Sequence, residues 1–222
     1  MKLLLNALTK FIFGVVAIAL LLFLPAGTFL YPNAWLFMAV LFIPVMIMGI
    51  VLFIKAPKLL EKRLNEKEGE KTQKWVVALS GLMFIAAFVI PALDFRFSLT
   101  SGVPLPCVIL SAVIFLLGYA VFAEVLRENA FLSRTIEVQE EQTVVSTGLY
   151  GIVRHPMYLA TLLMFIPMPL ILGSFAGLIP IAAYPVIIVI RIINEEKVLT
   201  SGLKGYADYK NKVKYRLIPF VW

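Results

Sequence analysis

Residues 157–193 read MYLATLLMFIPMPLILGSFAGLIPIAAYPVIIVIRII, an apolar run interrupted by a single arginine near its end. One helix over the whole run would be ~55 Å long at a rise of 1.5 Å per residue. The hydrocarbon core of a bilayer is only ~30 Å thick. Two short helices fit where one does not. Gly173, Ser174 and Gly177 near the middle suit a tight turn, and Pro167 and Pro169 bend or shorten the helix before it. The run predicts a helical hairpin, roughly 157–173 and 176–193.

Working outward, further apolar blocks cover 11–30, 34–54, 75–93 and 104–126. Each approaches the ~20 apolar residues a spanning helix needs. The chain of 222 residues is 61% hydrophobic and 15% charged, too little polar surface for a soluble domain of this length. Helices satisfy their own backbone hydrogen bonds in lipid. The predicted fold class is therefore all-α: a polytopic membrane protein with about six transmembrane helices. The first block resembles a signal peptide, with Lys2 and Lys10 ahead of apolar residues. It has no clear A-x-A cleavage site and stays apolar through Leu30, so it reads as a retained first span.

The formal net charge is +7, but the basic residues fall at the ends of apolar blocks, which points to membrane topology rather than nucleic acid. With the N-terminus inside and six spans, one side holds 19 of the 20 Lys and Arg residues, all except Arg96. A five-span chain would place the basic tail outside. The expectation is both termini cytoplasmic, in the inner membrane if the source is prokaryotic. Residues 1–126 then form four N-terminal spans with a charged cytosolic loop at 55–74. Residues 127–222 form a core made of the terminal hairpin 157–193 and its polar flanks. Those flanks, 127–156 and 194–222, meet at the membrane surface, and neither is large enough to fold alone. Any active site is assembled on the hairpin.

Several side chains there could do chemistry. Arg154-His155-Pro156 opens the hairpin, with proline well placed in a first turn. Its plain reading is a cationic anchor at headgroup level. Its functional reading is a ligand-gripping turn with free backbone N–H groups. Glu195 and Glu196 close the last span, an unfavourable place for acids at a helix C-terminus unless something offsets it. Arg191 precedes Glu195 by one turn and shares its face, as a salt bridge or as part of a binding site. Tyr206 and Tyr209 follow on a short amphipathic helix, and 216–220 read as an extended end returning toward the membrane. One cysteine and one histidine exclude a Cys/His metal cluster, and Cys107 reads as apolar packing.

The order of these motifs is specific: Gly-x-Tyr, Arg-His-Pro-x-Tyr, a short hairpin, Glu-Glu-x-x-Leu, Gly-Tyr-x-x-Tyr and Arg-Leu-Ile-Pro-Phe. Over residues 127–222 the chain resembles the isoprenylcysteine carboxyl methyltransferases, within a wider group of membrane methyltransferases that includes phospholipid N-methyltransferases. The resemblance implies a cytosolic S-adenosylmethionine pocket over the terminal hairpin, built without a Rossmann sheet. Consistently, the sequence has no G-x-G-x-x-G. By similarity, Gln142, Thr143, Val144 and Val145, then Tyr150 and the turn His155, Pro156, Met157 and Tyr158, would wrap the cofactor. Gln139 would join them, Glu195 or Glu196 would contact the cationic portion, and Arg191 would hold the substrate. Asn129, Tyr206, Tyr209 and Arg216 are further candidates around the same pocket.

The implied acceptor is a lipophilic or prenylated molecule met in the membrane, with carboxyl O-methylation of isoprenylcysteine-type substrates as the activity of the named family. A carboxylate acceptor is already ionised at neutral pH and needs only a cation to orient it, which suits Arg191. An amine or thiol acceptor would need a proton acceptor, which suits Glu195 or Glu196. Phospholipid or thiol methylation is the alternative within the same superfamily. Membrane sterol-type reductases, which use NADPH, resemble the same hairpin but carry a cysteine and a tryptophan near the final Lys-Tyr-Gly stretch; SGLKGYADYKNKV has neither. A transporter would be expected to place ionisable groups at mid-membrane, where these blocks have none.

Overall fold

The computed structural model describes residues 1–64, 71–100, 102–132, 138–139 and 141–222. The described residues form an all-α chain. Its helices are α1 (Lys2–Ala26), α2 (Pro32–Lys55), α3 (Pro57–Leu64), α4 (Lys71–Phe97), α5 (Leu105–Glu128), α6 (Pro156–Phe165), α7 (Met168–Ile171), α8 (Leu178–Ile181), α9 (Tyr184–Gly202) and α10 (Tyr206–Lys212). A 3₁₀ turn covers Gly148–Gly151.

Among the described residues five helices, not six, have the length and apolarity of a membrane span: α1, α2, α4 from Trp75, α5, and the joined pair α8–α9 over Leu178–Gly202. The first arm of the expected hairpin is shorter, a broken apolar helix over Pro156–Ile171. At 1.5 Å per residue it measures about 24 Å. Its break falls at Pro167, which has no N–H to continue the α6 ladder.

The short arm still reaches the far end of the bundle. Tyr31 Oη donates to the Leu172 carbonyl at 2.5 Å, and Asn33 Nδ2 donates to the Ile171 carbonyl at 2.8 Å. Both residues belong to the α1–α2 junction. Ser174 Oγ donates to Asp94 Oδ2 at 2.5 Å, and Asp94 also accepts from the Thr100 backbone N–H at 2.7 Å. Asp94 stands near the last turn of α4, so the hairpin turn sits level with the α1–α2 link. Gly173 turns there with φ +80°, and a Cβ at that position would lie 3.1 Å from Asn33 Nδ2.

The same arm packs tightly on α5. A Cβ on Gly118 would fall 2.6 Å from Met164 Cγ and 3.0 Å from the Ala160 carbonyl oxygen, so only glycine lets the α5 and α6 backbones approach this closely. One core links α1, α2, α4, α5 and the hairpin, with Phe37, Phe115, Met168 and Ile192 at its centre. Outward-facing apolar side chains such as Phe13, Ile54, Leu82 and Ile179 remain exposed. In lipid they need no protein partner, because hydrocarbon solvates them. Cys107, expected to pack inside, is also exposed.

The charged segment after α2 is not wholly aqueous. In α3, Leu59 and Leu60 are buried, and Lys10 Nζ caps its end by donating to the Leu64 carbonyl at 2.6 Å. Helix α3 therefore lies across the end of the bundle where α6 begins.

Candidate active site

The stretch 147–156 is built as a brace for the start of α6. Gly148 has φ +54°, and a Cβ there would collide with the Glu128 carboxylate. That carboxylate instead accepts the Leu149 N–H at 3.0 Å from the end of α5. Tyr150, in the 3₁₀ turn, accepts at its hydroxyl from Asn129 Nδ2 at 2.9 Å and at its carbonyl from Tyr209 Oη at 2.7 Å. Thus α5, the turn and α10 are tied through one tyrosine.

The Arg154–His155 backbone is then clamped by the C-terminal tail. Arg154 N–H donates to the Tyr215 carbonyl at 2.9 Å and His155 N–H to the Arg216 carbonyl at 2.8 Å. The free N–H groups anticipated at this helix start are, for these two residues, already bonded. Arg154 is also no headgroup anchor. It is buried at 7% exposure, its Nε donates to Glu196 Oε1 at 2.6 Å, and one terminal nitrogen donates to the Val213 carbonyl at 2.7 Å and the Lys214 carbonyl at 2.9 Å.

Glu196 is the centre of this brace. Besides Arg154 it accepts from Arg216 Nε at 2.9 Å, and His155 Nε2 lies 3.3 Å from Oε1. A carboxylate offers only lone pairs, so a hydrogen bond there requires the proton on Nε2. These neighbours offset the acid's unfavourable position at the C-terminal end of α9. Glu195 differs from its neighbour. Its side chain is 24% exposed against 6% for Glu196, and its Oε2 accepts from Tyr158 Oη at 2.7 Å. Arg191 Nε in turn donates to Tyr158 Oη at 3.4 Å. Arg191 and Glu195 share a face as expected, with Tyr158 bridging them.

Above this brace lies a recess open to solvent on one side, with a cavity volume of roughly 90 Å³, below the roughly 300–1,000 Å³ usual for small-molecule sites. Gln142, Thr143, Val144 and Val145 form one wall, with Tyr150 beside them. His155, Met157 and Tyr158 form another, and Arg191 and Glu195 face it from α9. Tyr206, Tyr209, Asn129 and Arg154 also belong to the lining. Four residues named from the sequence stand outside the lining. Pro156 is buried in the helix start, Glu196 is enclosed by its cations, and Gln139 bonds the Phe131 carbonyl at 2.7 Å and the Lys62 ammonium. Arg216 braces the site without lining it.

Phe131, Leu132, Leu199 and Leu203 also line the recess and were not picked out in the sequence. They are ordinary apolar residues, and only the fold shows which of many such residues turn inward. Burial pushes the Tyr150, Tyr206 and Tyr209 phenols well above their ordinary value of 10.0, so all three remain neutral hydroxyls. The Tyr206 hydroxyl is buried with no hydrogen-bond partner among the described residues.

Residues 106–205 match the family model described as phospholipid methyltransferase. The match makes this region, somewhat less than half of the chain, similar to the phospholipid methyltransferases. The matched span runs from the start of α5 to the threshold of α10 and contains every lining residue of the recess except Tyr206 and Tyr209. No curated protein matched the chain. The described residues hold five helices long and apolar enough to cross a membrane, and the matched family lies in the same superfamily as the isoprenylcysteine enzymes that the chain's motifs resemble. The match gives no support to isoprenylcysteine itself as acceptor. It favours methyl transfer over the NADPH-dependent reduction that a similar hairpin can serve.

Proposed function

We propose that this protein is a methyltransferase that uses S-adenosylmethionine, held in the recess beside Glu195, and methylates the headgroup of a membrane lipid. The observation that carries the reading is the buried, unpartnered Tyr206 hydroxyl. An unsatisfied buried donor costs about 1–3 kcal/mol, a cost that persists for a reason, and a polar ligand in the recess would remove it. When bound, S-adenosylmethionine supplies an electrophilic methyl group on a sulfonium centre.

The lining suits such a ligand. Glu195 and the faces of Tyr150, Tyr158, Tyr206 and Tyr209 attract a cation by charge and by ring quadrupole. Arg191 supplies the opposite charge for a carboxylate or phosphate. Tyr158, bonded to both, fixes their spacing. Glu195 is also the acid placed to accept the proton released when an amine is methylated. Glu196, by contrast, acts as a positioning residue, holding the His155 turn and the tail in register.

The same reading takes the short arm Pro156–Ile171 as a crossing, supported by its contact with Tyr31 and Asn33 at the far end. Both termini then lie with the basic residues on the cytoplasmic side.

The test is calorimetric titration of the full-length protein in detergent with S-adenosylmethionine. Saturable binding is expected, weakened roughly three- to tenfold by Tyr206→Phe and more by Glu195→Gln. Radiolabelled methyl groups should then appear in the lipid extract of vesicles containing phosphatidylethanolamine. A folded protein that binds no S-adenosylmethionine overturns the proposal.

A further inference from the structure

A second concavity lies beside the recess. It runs between α2 and α5 from Pro44 and Leu116 at mid-helix to Lys55 and Arg127 at the helix ends, and it has a volume of roughly 1020 Å³. Its walls are Ile47, Met48, Val51, Leu52 and the small residues Ala120 and Ala123. Tyr119 forms part of the lining too, and its hydroxyl donates to the Leu41 carbonyl at 3.1 Å, tying α5 to α2.

Both helices run from the level of the hairpin turn toward the active-site end, so the groove occupies the half of the bundle nearest the recess. From Pro44 to Lys55 the helix rises about 17 Å at 1.5 Å per residue, close to one leaflet of a ~30 Å hydrocarbon core. The apolar length is therefore that of one lipid's acyl region.

The charged residues of the lining are all positive: Lys55, Lys58, Lys62 and Arg127, clustered where the groove meets the active-site end. Arg127 is engaged by Glu124 at 2.8 Å, and Lys62 by Gln139. Lys55 and Lys58 form no hydrogen bond or ion pair among the described residues. Phe131 lines both the groove and the recess, and the Lys62 ammonium lies 5.4 Å from its ring centre. One aromatic side chain thus separates an apolar, cation-rimmed groove from the site where chemistry is proposed.

We infer that this groove holds the acceptor: the acyl chains of one phospholipid lie between α2 and α5, Lys55 and Lys58 bind its phosphate, and its headgroup passes Phe131 into the recess. The inference rests on the methyltransferase reading above and adds the acceptor's phosphate as its recognised group. It assigns α2 and α3, which lie outside the matched family region, a part in acceptor selection. A neutral diacyl lipid fits the walls and leaves the lysines unanswered.

The test uses delipidated full-length protein, with native mass spectrometry to follow one-to-one binding of dioleoylphosphatidylethanolamine and of dioleoylglycerol. Wild type should retain the phospholipid in preference to the glycerol lipid. Lys55→Gln/Lys58→Gln should weaken phospholipid binding about tenfold or more and leave the glycerol lipid unchanged. Ala120→Leu/Ala123→Leu, which fills the groove, should weaken both lipids. S-adenosylhomocysteine binding, measured on each preparation, should be unaltered and reports that the recess is intact. Phospholipid affinity unchanged by both double variants, or equal retention of the two lipids, overturns the groove assignment while intact S-adenosylhomocysteine binding leaves the methyltransferase standing. Loss of phospholipid in both variants, in a protein that never binds S-adenosylhomocysteine, keeps the lipid site and overturns the proposed methyl transfer.

Discussion

Arg154 and Glu196 lie 42 positions apart in the chain and 2.6 Å apart in the structure, Nε to Oε1, and both are buried. The pair joins the start of one hairpin arm to the end of the other. Through the Val213 and Lys214 carbonyls, Arg154 also holds the tail. Its role is to close the recess from below.

Replacing Glu196 by Gln leaves Arg154 buried without its counter-charge. Removing one partner of a buried pair costs about 3–5 kcal/mol, so the melting temperature in detergent should fall substantially. Hydrogen exchange should rise first in residues 213–217, which lose their clamp. A melting temperature equal to wild type would show that the brace contributes nothing to closure.

Gly118→Val should act on the site from a distance. The added side chain meets Met164 and the Ala160 carbonyl, and overpacking of this kind costs typically about 1–3 kcal/mol. Because α6 carries Met157 and Tyr158 into the recess, ligand affinity should fall along with stability. Unchanged values of both would mean that α5 and α6 separate freely.

Tyr31→Phe separates the two ends of the bundle. The change removes the donor to the Leu172 carbonyl at the hairpin turn, a loss of about 1–3 kcal/mol if that carbonyl stays unpaired. The recess lies at the opposite end, so S-adenosylmethionine affinity should hold within about twofold. A parallel loss of binding would show that the turn controls the site.

Alkaline pH should weaken the protein through its tyrosines. Burial raises the Tyr150, Tyr206 and Tyr209 phenols above their ordinary 10.0, so the folded state retains protons that the unfolded state releases. The resulting stability is complete below about pH 10 and is lost as pH rises past that value. Spectrophotometric titration should show these phenols ionising only with unfolding. Reversible ionisation near pH 10 in the folded protein would contradict their burial.

Much of the architecture was legible in the residues. Block length and apolarity announced the long helices, because hydrocarbon thickness imposes a minimum run. Gly173, Ser174 and the two prolines located the hairpin, and the structure turns there. Of the six expected spans, five are long helices among the described residues, and the first hairpin arm is the short one, broken at Pro167 as the two prolines implied. The awkward placement of Glu195 and Glu196 was a visible signal, since acids at a helix C-terminus call for compensation. What compensates Glu196, namely Arg154, His155 and Arg216, was not visible.

By itself the sequence determined which segments are long and apolar enough to cross a membrane and which ordered motifs resemble those of membrane methyltransferases, for these depend on local composition and spacing. The tertiary structure decided that Glu195 faces the recess while the adjacent Glu196 is enclosed, that the Tyr206 hydroxyl is left unpaired, and that α2 and α5 part into a cation-rimmed groove. Those outcomes depend on rotation about a helix axis and on contacts between residues far apart in the chain, which only packing resolves.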